Sequence, residues 1–509
     1  MKILWGYIAS IGYLFAVILI CGAFQKRRSL NVEISRKVIH VAIAFTWCIM
    51  DVFWGRSYHQ AILSALFVVI NFLSYKFKFL PGVERQSKSH PGTVYYALAM
   101  LALSIASYYY EPMYLYFGAS VFFLSFGDGL APIFGWLLKG NRLLTKNKTL
   151  YGSLACFVFG TAALWAFTSI YKTGVSLLCV FGIGAIATLA ELFAVKGLDN
   201  FTVSFTVALG LIAEYFGVVS DAFWVSAIIS LPIILTALYF KALTPPAAVV
   251  AEAFMLVSAY CMDYTLFLVY VIPFVCIAVV GIFKKRDKVK LGLPSKARGV
   301  VQVLINGLPA LICFVVYKVT DAVLPLVMGA TALCSCFVDS CASDVGYFSK
   351  KTPYDFIRRK KVDKGISGGI TLLGSIACIV GAIIFTLSFW INQELSYAFI
   401  FVFLGGVLGC TLDTLIGSLF QALYAVEIPL EPIDEPIYPT QKYKYLETTQ
   451  DYKYLEAEQE YKYLETKGYW DSAKLVKGVK FIDNNVVNLL SSVLSAVITG
   501  VVYYCVFSI

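Results

Sequence analysis

Apolar runs long enough to cross a bilayer follow one another along almost the whole chain, beginning near positions 3, 36, 60, 93, 113, 150, 174, 202, 222, 247, 264, 300, 322, 366, 396 and 485. A spanning helix needs about 20 predominantly apolar residues to cross a hydrocarbon core about 30 Å thick. Hydrocarbon offers no partner to an open backbone N–H or C=O, so such runs fold as helices rather than as loops or open sheet. The expected fold class is all-α: a polytopic transmembrane helix bundle of roughly 16 spans in two halves. Composition agrees. Of 509 residues, 59% are hydrophobic and 14% charged, which excludes an ordinary soluble domain.

The formal net charge is +10, and its cations collect in alternate connections: 26–28, 76–88, 139–148, 196, 241, 284–298, 350–364 and the segment after Tyr424. The connections between them hold only Arg56, Lys172 and Lys318. Cations in short loops set orientation, so the cation-rich connections are expected in the cytoplasm and both termini outside. No nucleic-acid partner is expected from this charge. Ile3–Phe24, followed by Lys26-Arg27-Arg28, reads as a retained span rather than a cleaved leader. The 13 cysteines lie in apolar runs without framework spacing and read as small membrane-helix residues.

Composition shifts twice. The pair Pro245-Pro246 in FKALTPP divides the chain into expected domains 1–240 and 241–509. The second shift is a polar insertion at 426–480 with a repeat of period nine, YKYLETTQD, YKYLEAEQE and YKYLETKGY, starting at Tyr443, Tyr452 and Tyr461. A charged, biased repeat of this kind is expected to be solvated, helical or disordered.

In the first half, polar groups recur at the cytoplasmic ends of spans. Glu33, Arg36, Lys37 and His40 stand at i, i+3, i+4 and i+7, one face of a helix entering the membrane. His40 is the deepest, which favours a functional over a snorkelling role. Gly127-Asp128-Gly129 closes one apolar run, and Lys139, Arg142, Lys146 and Lys148 follow before the next. A carboxylate at the depth of Asp128 needs a partner. Mg2+ would be one, completed by waters and substrate phosphates, with the Lys-rich loop holding the phosphates. Glu191 is a further membrane carboxylate, and Asp199-Asn200 opens the next run, where N-capping would account for Asn200.

Four of these motifs, in order, resemble the membrane family of CTP-dependent phytol and dolichol kinases, related to the CDP-diacylglycerol synthases: Glu-x-x-Arg-Lys-x-x-His at 33–40, Gly-Asp-Gly-Leu-Ala-Pro at 127–132, Lys-Thr-x-x-Gly-Ser at 148–153, and Glu191 with Asp199-Asn200. The resemblance covers residues 30–220. It departs at Tyr151, where many relatives carry an acidic residue.

The second half has its own constellation. Arg298, Gln302 and Asn306 form one polar stripe of a helix. Asp339, Ser340, Ser343 and Asp344 place two carboxylates near a helix end, and Lys364-Gly365-Ile366-Ser367-Gly368-Gly369 reads as a glycine-rich helix start with N–H groups suited to phosphate. Asp413, Gly417 and Gln421 recur at i+4, and Asn484, Asn485 and Asn488 open the last span. Cys334, Cys336 and Cys341 have no His beside them, which disfavours zinc. From Leu243 to Ser508 these residues resemble a membrane domain of unknown function whose members include the plant phytyl-phosphate kinase.

Together the resemblances imply a bifunctional transferase. CTP, or another nucleoside triphosphate in the second step, would phosphorylate an isoprenoid alcohol and then its monophosphate. In the first half Asp128 would hold Mg2+, Lys148 and Arg36 the phosphates, His40 or Glu191 the alcohol, with Gly127, Gly129, Thr149, Gly152, Asp199 and Asn200 around the nucleotide. In the second, Asp339, Asp344 and Asp413 would hold metal. Arg298, Lys364, Gly365, Ser367, Gly368 and Gly369 would hold phosphate, with Asn306 and Asn488 beside them. Two rival readings are a cytidylyltransferase making a CDP-lipid and a lipid or ion transporter.

Overall fold

In a computed structural model the chain is a set of long helices. The structure describes residues 1–26, 32–77, 92–138, 148–194, 197–262, 297–362, 366–391, 397–427, 443–447 and 474–507, with a few single positions between 263 and 296. It separates into two compact units, Met1–Tyr239 and Phe240–Ile509. Fifteen helices are described, ten of them long and apolar enough to cross a membrane, so the exact count of spans expected from the sequence is not reproduced. The apolar run near 264 lies outside the described residues. The outer faces of these helices carry exposed Leu, Ile and Val, such as Leu19, Val69, Ile312, Val319 and Leu404, as lipid contact requires.

The first unit holds nine helices: α1 (Lys2–Lys26), α2 (Val32–Trp54), α3 (His59–Phe77), α4 (Gly92–Tyr109), α5 (Pro112–Leu137), α6 (Leu150–Ile170), α7 (Leu177–Phe193), α8 (Asp199–Tyr215) and α9 (Asp221–Tyr239). Helix α5 is the centre, packed on α2, α4, α6 and α8. Lipid gives helices no hydrophobic reason to associate, so close packing through small residues must do it. A Cβ added at Gly127 would stand 3.2 Å from Cys156 Sγ and 3.4 Å from Gly160 Cα, and one added at Gly118 would stand 2.5 Å from both Trp47 and Phe167. Trp47, Phe117, Phe123 and Leu124 are fully buried around that axis.

The second unit holds α10 (Pro245–Cys261), α11 (Val300–Thr320), α12 (Val323–Gly346), α13 (Leu372–Ile391), α14 (Ala398–Phe420) and α15 (Asn484–Phe507). Helix α12 is central here, packed on α11, α13, α14 and α15. Its Thr331 and Ser335 lie against Gly405 and Gly409 of α14, and Thr499 and Ser495 of α15 close the same two layers.

Short strands complete this unit. Strands β1 (Tyr354–Asp355) and β2 (Lys360–Lys361) form a hairpin between α12 and α13. Asp355 builds its turn: Oδ1 accepts the N–H groups of Ile357 and Arg358, each at 3.0 Å, and Oδ2 accepts the Ser418 hydroxyl at 2.7 Å. Burial pushes the Asp355 carboxyl up, but these donors and the Arg358 charge outweigh it and hold it below the ordinary carboxylate range. Strands β3 (Leu423–Glu427), β4 (Tyr443–Glu447) and β5 (Lys474–Lys477) form an antiparallel sheet in the order β4-β3-β5. The described part of the first Tyr repeat, 443–447, is thus a strand, Tyr443 pairing with Glu427 and Glu447 with Leu423. This corrects the expectation of helix or disorder: Tyr-Lys-Tyr-Leu-Glu alternates with a strand's period of two. The repeats from Tyr452 and Tyr461 lie outside the described residues.

Packing at Gly118 gives a direct test. Gly118→Leu should destabilise the purified protein by about 1–3 kcal/mol, because Trp47 and Phe167 have no room to move. Gly12 has nothing within 4 Å of an added Cβ, so Gly12→Leu should change stability by less than about 0.5 kcal/mol. Equal thermal shifts for the two variants in detergent would contradict the packing described.

Candidate functional site

The polar residues of the first unit meet where α2, α5, α7 and the start of α6 come together. Their placement follows from a defect in α5. Pro132 has no N–H to give the carbonyl four residues earlier, that of Asp128. Lys37 supplies the missing donor: its Nζ donates to Asp128 O at 2.8 Å and to Asp128 Oδ2 at 2.9 Å. Both side chains are buried. His40, one turn deeper on α2, brings Nε2 to 3.4 Å from the same carboxylate oxygen without a hydrogen-bonding alignment. Tyr96 packs edge-on against the imidazole at 5.1 Å and reaches the Ser125 hydroxyl at 3.3 Å.

A second pair repeats the arrangement. Lys148 donates to Glu191 O at 2.8 Å and forms a short ion pair with Glu191 Oε1. Glu191 stands in the last turn of α7, whose final carbonyls have no intrahelical donors and carry the negative end of the helix dipole. Lys148 is fixed in turn by Thr149, the N-cap of α6, whose Oγ1 accepts the Gly152 N–H at 3.1 Å. The start of α6 packs closely on α5, where a Cβ added at Gly152 would stand 3.1 Å from Ala131 O, and this brings the Lys148 pair to the same end of the unit as the Asp128 pair. Asn200 Nδ2 donates to Gly92 O at 3.1 Å and joins α8 to α4, while Asp199 Oδ1 accepts the Asn200 N–H at 3.0 Å. Among the described residues, His40 Nε2 and Asn200 Oδ1 are buried without a hydrogen-bond partner. Arg36 lies one residue before Lys37 on α2 and is half-buried.

Several of these residues have protein partners. Asp128 is paired in its burial with Lys37. Gly127, Gly129 and Gly152 serve close approach: an added Cβ would meet Cys156, Val41 or Ala131 O respectively. Thr149 is a cap. Lys37 and Tyr96 were not assigned a role from the sequence. The signal for Lys37 was Pro132, four residues after Asp128.

The second unit gathers Asp339 and Ser335, Cys336 and Ser340 (α12), Asp413 (α14), Asn488 and Ser491 (α15) and Asn306 (α11) around one small recess with a cavity volume of about 10 Å3. Each contributor lies within about three turns of a helix terminus at the same end of the unit. Asp413 Oδ2 accepts the Ser491 hydroxyl at 3.2 Å and, with the Asn488 amide turned to match, its N–H2 at 3.0 Å. A cavity of this size has room for about one water or one bare ion.

Other residues expected there lie elsewhere. Asp344 is five residues beyond Asp339 on α12, about 140° around the helix, and is not among the lining residues. Arg298 is exposed, and its backbone bridges Leu243 ahead of α11. Ser367, Gly368 and Gly369 do not open a helix. They form a turn against the end of α14, where Gly368 (φ +90°) lies on Ser418, and α13 starts at Leu372 after Thr371 has capped Gly374 N–H at 3.1 Å. Lys364 and Gly365 lie outside the described residues. Among the described residues no three His, Cys, Asp or Glu side chains cluster as metal ligands.

Fold and composition define a multi-pass helical membrane protein. The chain belongs to the integral membrane protein DUF92 family, whose model matches residues 228–496, more than half of its length. In its N-terminal part it is similar to a phytol kinase of Synechocystis sp., 27% identical over 206 residues, 39% of this chain and 86% of that protein. An uncharacterized membrane protein of Methanocaldococcus jannaschii is 28% identical over 147 residues, 29% of this chain and 60% of that protein. No solved structure matches.

The Lys37–Asp128 pair can be tested by charge balance. Lys37→Met should destabilise the protein by about 3–5 kcal/mol, since it leaves a buried carboxylate alone. Lys37→Met with Asp128→Asn should recover much of that loss. Thermal unfolding of the three variants checks this, and additive destabilisation would show that the pair is not coupled.

Proposed function

We propose that the first unit phosphorylates an isoprenoid alcohol from CTP and that the second converts the resulting monophosphate to the diphosphate. The observation that carries this reading is the meeting of Lys37, His40, Asp128, Lys148 and Glu191 in the part of the chain similar to the Synechocystis phytol kinase. Phosphoryl transfer asks little covalent chemistry of a protein: it needs alignment and charges set in advance around the phosphates. Asp128 and Glu191 hold Lys37 and Lys148 at fixed positions, so those ammonium groups, with Arg36, meet the phosphate charge. His40 Nε2, buried without a hydrogen-bond partner, orients the alcohol hydroxyl and takes its proton.

In the second unit, Asp339 and Asp413 with the amides of Asn306 and Asn488 form an oxygen-rich set that fits a hard divalent cation such as Mg2+. When bound, Mg2+ would neutralise phosphate charge there. In the first unit Asp128 is already held by Lys37, so in this reading any metal arrives with the nucleotide. Both sites adjoin the cation-rich connections, and we place them on the cytoplasmic side. A transporter would hold its polar groups near the membrane midplane, whereas these lie at helix ends.

The test uses purified protein, labelled CTP, polyprenols and their monophosphates. Asp339→Asn should leave the alcohol kinase active and let monophosphate accumulate. Asp128→Asn should lower alcohol phosphorylation by about a hundredfold, the cost of one misplaced charged donor, and leave conversion of supplied monophosphate intact. Loss of both activities in either folded variant would overturn the two-site reading, and pyrophosphate rather than CDP as co-product would identify a cytidylyltransferase.

A further inference from the structure

The β1–β2 hairpin combines three features that neither proposed site uses. Its tip exposes two large apolar side chains, Phe356 at 66% and Ile357 at 39%. Lys350, Lys351, Arg359, Lys360 and Lys361 stand exposed around them, while the one acid of the described segment, Asp355, is buried. The hairpin is also fixed in place. Asp355 holds the Ser418 hydroxyl, Arg358 Nη2 donates to Ser418 O at 3.0 Å, and the outer edge of β1 bonds to Ile370 through two 3.0 Å hydrogen bonds. Arg359 adopts a left-handed conformation (φ 53°) as the turn closes. A loop that served only to join α12 to α13 would not need an apolar tip bolted to the end of α14.

We propose that this hairpin is a docking element for anionic phospholipid headgroups at the membrane surface. The occupant follows from charge and position. Five exposed cations require an anionic surface, and an exposed Phe-Ile pair among them requires that surface to have an apolar layer beneath it, which a bilayer interface has and a soluble anion lacks. The hairpin is joined to α12 through 347–353, and on its other side Ile370, two residues before α13, is hydrogen-bonded to Tyr354 of β1. It therefore stays at the height of the bilayer surface. Phe356 and Ile357 enter among the headgroups, and the cations pair with lipid phosphates around them. Because Ser418 lies five residues beyond Asp413 on α14, lipid seated on the hairpin steadies the end of the unit where the second pocket opens.

The test places a fluorophore at the tip of the full-length protein in nanodiscs. In Phe356→Trp, measured against the wild-type protein to remove the native tryptophans, the added emission should be blue-shifted. Brominated phosphatidylglycerol should quench it with roughly tenfold higher apparent affinity than brominated phosphatidylcholine at low salt. High salt should remove the preference. So should Gln at all five exposed cations in the same background, while blue-shifted emission elsewhere in the protein is unchanged. A tip that reports water in every bilayer would overturn the proposal and leave a soluble acidic partner as the occupant. Equal quenching by both lipids would overturn headgroup selection. Displacement by inorganic phosphate, but not by chloride at equal ionic strength, would assign the cations to a free-anion site instead.

Discussion

A helix that ends or is interrupted inside a bilayer leaves carbonyl oxygens without intrahelical donors, and hydrocarbon supplies none. Much of the polar architecture here answers that constraint. Lys37 reaches the carbonyl that Pro132 strands at Asp128, and Lys148 reaches that of Glu191 in the last turn of α7. In the second unit Arg358 and Lys477 reach Ser418 O and Gly417 O at the end of α14. A cation suits these places because it also meets the negative end of the helix dipole. In the first unit the stranded carbonyl belongs to an acidic residue, so one ammonium group satisfies backbone and carboxylate together. Structural necessity thus delivers two lysines to fixed positions beside buried carboxylates.

The second unit reaches its pocket by register rather than by repair of a helix defect. Thr331, Ser335 and Asp339 follow one another at i, i+4 and i+8 on α12, and Gly405, Gly409 and Asp413 do so on α14. The first two layers are small residues in contact, which lets the backbones approach closely. Continued one step, the same register brings Asp339 and Asp413 to one pocket. Ser495 and Ser491 of α15, running the other way, close the second and third layers. The carboxylates converge because glycines two turns away allow it.

The helices and most polar groups of both sites were legible in the sequence, because a run of about 20 apolar residues has one structural answer in lipid and a charge within it is conspicuous. Partners were harder to read. Lys37 stood beside Arg36 near a helix end, where a lysine's long stem ordinarily lets its charge return to the surface, and only the spacing of Asp128 and Pro132 told otherwise. Glycines were ambiguous for a similar reason. A missing side chain serves a phosphate and a neighbouring helix equally well, and at Gly127, Gly129 and Gly368 the neighbour is protein. Asp344 misled because adjacency along a chain is not adjacency around a helix. The hairpin was hidden because Phe356-Ile357 within a run of cations is too short to register as a pattern of either period.

The two clusters differ in electrical character, and the difference bears on how each meets a phosphate. In the first, Asp128 and Glu191 are each matched by an ammonium group, with Arg36 and His40 alongside. Its carboxylates are engaged, and what it presents to an incoming anion is oriented positive charge. In the second, the lining groups are two carboxylates, two amides, three hydroxyls and a thiol. Such a set would suit a hard cation, which would supply positive charge toward a phosphate. An alcohol and a monophosphate differ in the same sense. The alcohol brings no charge to be screened from the triphosphate, so fixed cations suffice for the donor alone. The monophosphate would bring a second anion to the same place, and a divalent ion held by Asp339 and Asp413 would supply charge against that repulsion. Under the proposed function, the neutral acceptor would belong to the first cluster and the anionic acceptor to the second.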